Sequence, residues 1–368
     1  MRTSSCIAST AFMLALSHIY ISHAAAQSDK MLHTQEILTE KSKKFIERLQ
    51  NDSDTTHKGK KSLLIRFDSL LSKMYETKTD THYVVRPSTH WTLKIRTDFK
   101  ATRFTVEGAD IFGKHYTYEM NSEEKKTIGI NINYKGLSTS LSFNPAHLTG
   151  KKTDMEWFLN FYTNSFGGDI SVNNLHSFTG HVNHEGVNEN MDFSGVKLQS
   201  VTVNGYYAFN KRKFSYPAAF TQSYIQKRSQ GSFLLGASFS TGNIKMPANL
   251  INTDKGYDIR RINMTHATLG AGYAYNYVPG KRWLLHLSAL PSFVVWKNYN
   301  LYSADRQEKM PWRFFDFSVT GRFSAIYSTG FYFFGVTSVY QMYKVGEEEK
   351  FALMKENFKA RFFAGIRF

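Results

Sequence analysis

The sequence predicts an all-β protein, a transmembrane antiparallel up-and-down β-barrel of about 12 strands with a short N-terminal helical arm. Three observations carry this. From Trp91 to Phe368 apolar residues recur at every second position, the mark of strands with one apolar face. The opposite face is rich in Gly, Ser, Thr, Asn and Ala, with scattered Lys and Arg. A soluble sandwich would put bulky charged side chains there, whereas small polar ones suit a confined lumen. Finally, long polar connections alternate with short turns, as loops and turns do in membrane barrels.

The elements follow in order. Arg2, the apolar run "IASTAFMLALSHIYI" and the A-x-A site in "AAAQ" predict a signal peptide over 1–26. That run is too short and too interrupted for a spanning helix. Cys6, the only cysteine, lies inside the signal peptide just before that run, which leaves the mature chain without thiol or disulfide chemistry. Residues 27–85 form the expected arm in the periplasm. "MLHTQEILTEKSKKFIERLQ" and "KSLLIRFDSLLSKMY" carry helical apolar spacing, a polar linker separates them, and an extended "THYVVRP" follows. Residues 86–368 form the barrel, with strands near 91–99, 126–134, 137–143, 154–165, 168–176, 196–209, 229–241, 265–277, 283–296, 315–327, 331–343 and 357–368.

The closing strand, "FKARFFAGIRF", puts Phe358, Ala360, Phe362, Ala364, Ile366 and Phe368 on the lipid side and Lys359, Arg361, Gly365 and Arg367 inside. Its length is about 33 Å at ~3.3 Å per residue. Tilted by ~40°, it covers the ~25 Å apolar band of an outer-membrane barrel. Short connections are expected at 135–136, 166–168 ("FGG"), 278–282 and 328–330, and long ones at 177–195, 242–264, 297–314 and 344–356. Residues 210–230 are long but fall on the short-turn side, so they either enter the lumen or pack on the arm. "HYTYEM" belongs to the first outer loop.

"YVVRPSTHWTLKIR", "YKGLSTSLSFNPA" and "KFSYPAAFTQSYIQKRSQGSFLLG" resemble the domain of unknown function 4421 family, found in Gram-negative bacteria of the Bacteroides group. The resemblance runs from about residue 80 to the end. It implies an outer-membrane barrel and brings no catalytic residues.

The chain carries 30 Phe and 21 Tyr and a formal net charge of +16. In an exported chain that charge points away from nucleic acid and toward membrane lipid or anionic solutes. Lys94, Arg96, Lys197, Arg322, Lys359, Arg361 and Arg367 are expected in the lumen, where low-dielectric walls would strengthen their attraction for anions. Alternatively they pair with Asp98, Asp316 and Glu156 in a plugged, closed lumen. Phe368 is expected to anchor at the interface and to be read by the barrel-insertion machinery.

Other motifs weigh little. "GADIFGKH" has His115 where a phosphate loop needs Ser or Thr, with no helix after it. "HVNHE" matches no zinc motif and sits in a loop. "HLS", His286 to Ser288, resembles the His-x-Ser pair of lipid-A deacylases. Here Trp283, Leu285 and Leu287 take the lipid face, which turns His286 and Ser288 inward, away from membrane lipid. No catalytic residue, metal or cofactor is therefore expected. The leading expectation is an outer-membrane pore, passive or gated, for small anionic solutes. The alternatives are a closed structural or interaction barrel binding a periplasmic or surface partner, and a lipid-modifying hydrolase.

Overall fold

The computed structural model describes residue 72 and residues 78–368, apart from 110–114, 123–124, 136, 144–154, 176–177, 185, 192, 194, 248–259, 304–306, 311–315 and 348–350. The expected signal peptide and most of the expected arm lie outside the described residues. Residues 78–85 belong to the barrel unit.

The strands are β1 (Val84–Val85), β2 (Trp91–Ala109), β3 (His115–Ser122), β4 (Lys125–Tyr134), β5 (Leu137–Phe143), β6 (Met155–Tyr162), β7 (Phe166–Leu175), β8 (Phe178–His184), β9 (Val187–Met191) and β10 (Lys197–Ala208). A short helix α1 (Tyr216–Phe220) and β11 (Ile225–Gln226) follow. Then come β12 (Gln230–Lys245), β13 (Arg261–Tyr277), β14 (Trp283–Tyr302), β15 (Gln307–Met310), β16 (Phe317–Ser328), β17 (Tyr332–Glu347) and β18 (Phe351–Arg367).

Twelve of these form one closed antiparallel ring in the order β2, β4, β5, β6, β7, β10, β12, β13, β14, β16, β17, β18, and β18 pairs back to β2. They are the twelve strands expected from the alternation. Closure joins the first strand to the last, the condition for spanning a membrane with strands, and the β5–β6 seam is paired only at Leu137–Phe161 and Ser138–Asn160. β6 ends at Tyr162 and β7 begins at Phe166, so the turn is Thr163 to Ser165 and not "FGG". There Thr163 Oγ1 accepts from the Phe166 amide at 3.0 Å.

The short turns, the segment between β10 and β12, and Phe368 share one end of the barrel. The long connections share the other. Several strands run well past the expected band: β2 reaches Ala109, and β14 reaches Tyr302. Part of what read as loop is therefore strand. β3 pairs with this extension of β2, β8 pairs with β3, and β9 with β8.

The outer face is apolar. Phe233, Leu287 and Ile95 are 69%, 67% and 65% exposed. A continuous belt of such residues has no place in water and reads as lipid contact. At the turn end Trp91 lies on Tyr134, Trp283 on Tyr327 and Phe233 on Tyr273. Toward the loop end the belt closes on Phe239, Phe293, Trp296, Tyr340 and Phe358. Such paired girdles border membrane barrels, because aromatic rings favour the lipid–water interface.

Candidate functional site

Residues 209–229, between β10 and β12, enter the lumen at the turn end and plug it. Ser215 caps α1, its Oγ accepting from the Ala218 amide at 3.2 Å, with Pro217 in the first turn. Tyr216, Pro217, Ala218 and Ala219 are buried. Phe214 and Tyr216 pack with Tyr162, Ala208, Leu234 and Ala274. Strand β11 pairs with β1, so residues just before the barrel brace the plug. Of the two places open to 210–230, the lumen is the one observed.

Two lumen cations hold this plug. Lys94 Nζ donates to Gln222 Oε1 at 2.7 Å and to the Phe220 and Thr221 carbonyls at 3.3 and 3.4 Å. Cations favour the unpaired carbonyls at a helix C-terminus. Arg367 Nε donates to the Gln222 carbonyl at 2.8 Å, and its Nη1 reaches the Gly330 carbonyl at 2.6 Å. Gln222 has φ of +59°. A non-glycine residue keeps that left-handed conformation only where its surroundings impose it. Its carbonyl, held by Arg367, and its side chain, held by Lys94, do so.

The other predicted basic residues form two paired groups. Asp98, buried, receives Arg361 through two bonds of 2.7 and 3.0 Å, Arg96 at 3.1 Å and Lys359 at 3.7 Å. Arg322 pairs with Asp169 at 3.1 Å, donates to Tyr162 Oη at 3.2 Å, and lies over the Tyr216 and Phe220 rings of the plug. Lys197 departs from expectation. It is exposed at the loop end of β10, on the face of Val201 and Val203, because Leu198 and Ser200 take the inward positions. Asp316 pairs with Lys297 at 2.5 Å, and the Glu156 side chain lies outside the described residues.

At the loop end the inward positions turn apolar. Phe104 and Val106 of β2, Phe178 and Val182 of β8, Leu198, Ile244, Ile262, Leu301 and Leu353 form one buried cluster with Phe193 and Val196. Between this cluster and the plug lies a cavity of about 110 Å³. Its lining includes Asp169, Asn204, Tyr216, His266, Ser288, Arg322, Tyr343, Lys355 and Asn357.

Sequence reasoning did not single out His266, Tyr299 and Tyr343. His266 stacks on Tyr343 at 4.1 Å, and Tyr299 Oη meets His266 Nδ1 at 2.8 Å and Tyr343 Oη at 2.5 Å. Their inward parity was the available signal. His286 and Ser288 do point inward, joined at 3.1 Å, and His286 Nδ1 meets Asn276 Oδ1 at 2.7 Å. In the loop motifs, His181 lies 3.7 Å from Glu119, which Arg103 also holds. Residues 110–114 and Glu185 fall outside the described set. Phe368 sits at the turn end, exposed, and exchanges both backbone bonds with Trp91 at 3.1 Å.

The chain matches the family described as domain of unknown function (DUF4421) over residues 78–368. No curated protein matches it. Solved structures of similar architecture include the outer membrane protease OmpT of Escherichia coli, at 10% identity and TM-score 0.35, covering 80% of this chain and 100% of that one. The COG4313 outer membrane channel of Pseudomonas putida F1 has 10% identity and TM-score 0.29 over 80% and 100% of the two chains. The toluene transporter TodX of P. putida has 8% identity and TM-score 0.26 over 76% and 90%. At these scores none of the three bears on function.

Proposed function

The chain belongs to the DUF4421 family, and on that premise we propose that it is an outer-membrane barrel closed at rest, a gated route for small anionic solutes. Three features support the membrane assignment: the closed ring of strands, the exposed apolar belt and the paired aromatic girdles. Short turns lie on the periplasmic side in such barrels. The plug and Phe368 then face the periplasm, where the insertion machinery reads Phe368.

The carrying observation is the way the plug is held. Lys94 and Arg367 grip backbone carbonyls and one amide, contacts that water or an entering anion replaces at modest cost. Behind them Arg96, Lys297, Arg322, Lys355, Lys359 and Arg361 outnumber Asp98, Asp169 and Asp316 among the described inward residues. The field inside therefore favours anions. A second reading, a barrel closed at all times that binds a partner, draws on the apolar cluster at the loop end.

Single-channel recording in a planar bilayer tests both. The intact chain should open rarely. Because the loop end is closed as well, a chain in which 211–228 are replaced by a short Gly-Ser turn and Phe104 and Phe178 of the loop-end cluster by Ala should carry steady anion-selective current. Its folding is verified by heat-modifiable migration. A cation-selective current defeats the anion reading. A folded but silent plugless barrel favours the closed one.

A further inference from the structure

Asn276, His286 and Ser288 sit on adjacent strands, with Ser288 at the cavity wall. Asn276 of β13 lies directly across from His286 of β14, and Ser288 is two residues along the same inward face. All three are buried, and Ser288 lines the cavity. The distances run 2.7 Å from Asn276 Oδ1 to His286 Nδ1 and 3.1 Å from His286 Nε2 to Ser288 Oγ. These are the spacings of an orienting group, a base and a nucleophile.

Distances alone do not say which ring nitrogen carries the proton. The neighbours do. Gln226 Nε2 donates to the Lys213 and Arg228 carbonyls at 2.7 and 2.9 Å, which fixes that amide and leaves its Oε1 an acceptor. Oε1 takes the Ser215 amide at 2.9 Å and Asn276 Nδ2 at 3.0 Å. Asn276 Nδ2 also donates to the Ser215 carbonyl at 2.8 Å. Asn276 Oδ1 must then face His286, and an acceptor there demands a proton on Nδ1. The Nε2 lone pair is left for the Ser288 hydroxyl. A chain of backbone carbonyls thus selects the tautomer that a general base needs. A hydrogen-bond ladder serving only to seat the plug has no need of this outcome.

We propose that Ser288, with His286 as its base and Asn276 as the positioning residue, is a nucleophile that hydrolyses small acyl esters inside the lumen. Ser288 Oγ attacks the ester carbonyl carbon while its proton passes to His286 Nε2. The alkoxide leaves as that C–O bond breaks and takes the proton from His286, giving an acyl-serine and an alcohol. Water then attacks the acyl carbon, its proton going to His286, and Ser288 departs with that proton. The sum is ester plus water to acid plus alcohol. Arg322, in register across from Ser288 on β16 and lining the same cavity, places positive charge beside the oxyanion and the carboxylate product. The volume limits the acyl chain. An apolar cavity of ~150 Å³ holds benzene, so about 110 Å³ suits a short chain. This departs from the expectation of no catalytic residue, and the inward face that argued against membrane lipid is what suits a small soluble substrate.

The test uses the full chain folded in detergent micelles and methanesulfonyl fluoride, a small reagent that sulfonylates activated serine. Expected are a mass-detected adduct on Ser288 and release of acetate from ethyl acetate by NMR. Both should be lost in Ser288→Ala and fall by about 100-fold or more in His286→Gln. Asn276→Leu should lower kcat with KM unchanged, which a loosened cavity would not do. Lys94→Met, which removes the donor to three acceptors of the plug, loosens the turn-end closure and removes the objection that the reagent cannot enter. Folded wild type and folded Lys94→Met that both lack the Ser288 adduct and any Ser288-dependent hydrolysis overturn the proposal. An adduct confined to other serines does the same.

Discussion

The two ends of the barrel are closed by opposite chemistry. At the turn end the closure is a separate segment, residues 209–229, which packs Phe214 and Tyr216 on the wall and is tied at its helix C-terminus by cation-to-carbonyl contacts from Lys94 and Arg367. At the loop end the strands themselves converge on apolar side chains such as Phe104, Phe178, Ile244 and Leu353. The net value of a polar contact is small because water replaces it, whereas opening an apolar cluster exposes its whole area. Motion is therefore expected at the turn end and rigidity at the loop end.

The largest effect should come from breaking the rigid end. Phe178 is buried on β8 and meets the Phe104 ring edge-on at 6.0 Å. Phe178→Ala should cost about 3–5 kcal/mol by transfer and cavity terms, read as a shift in the urea midpoint in micelles. A loss below ~1 kcal/mol would mean that the loop end is not a packed core. Between the two ends lies the lipid belt. Ala364, exposed between Phe362 and Ile366, is paired with Ile95 near the middle of the span. Ala364→Arg should cost about 2–4 kcal/mol there, measured by refolding into lipid vesicles. Tolerance of arginine would place position 364 away from lipid.

These two sites also show what alternation reveals and what it hides. Within the belt the rule is apolar outward, and it places Ala364, Ile95 and Leu287 without a structure. Beyond the belt the rule inverts. In β10, Val201 and Val203 face out while Leu198 faces in, and in β13 Leu269 faces out while Ile262 faces in. Lys197, beside inward Leu198, faces out for this reason. The plug was legible only as an anomaly of length, because Phe214, Tyr216 and Phe220 have no period. The tautomer of His286 rests on Gln226 and Ser215, which no spacing connects to it. Glycine space is equally hidden. Gly365 faces inward, where a polar side chain reads as harmless, yet a Cβ there would lie 2.4 Å from the Leu93 carbonyl oxygen.

A smaller effect should come from the mobile end. Lys94→Met removes the donor to three acceptors of the plug but also relieves crowding with Arg96 and Arg367. The net loss should be about 1–2 kcal/mol. It should appear as faster protease cleavage within 209–229, with the loop-end urea midpoint unchanged. Equal loosening at both ends would erase the contrast.

The smallest effect on stability is expected at Phe368, beside the seam where β18 closes on β2. Its backbone exchanges two 3.1 Å bonds with Trp91, and any residue makes those. Its ring is 54% exposed, so only part of the ~1.5–3 kcal/mol for burying a phenylalanine is present. Phe368→Ala should therefore cost about 1 kcal/mol or less in barrel refolded in micelles. Assembly in cells gives the second reading. If the insertion machinery reads the ring, membrane-inserted protein falls far more than that loss of stability accounts for. An insertion yield that merely follows the urea midpoint would leave Phe368 as one more ring in the turn-end girdle, equivalent to Trp91 across the seam.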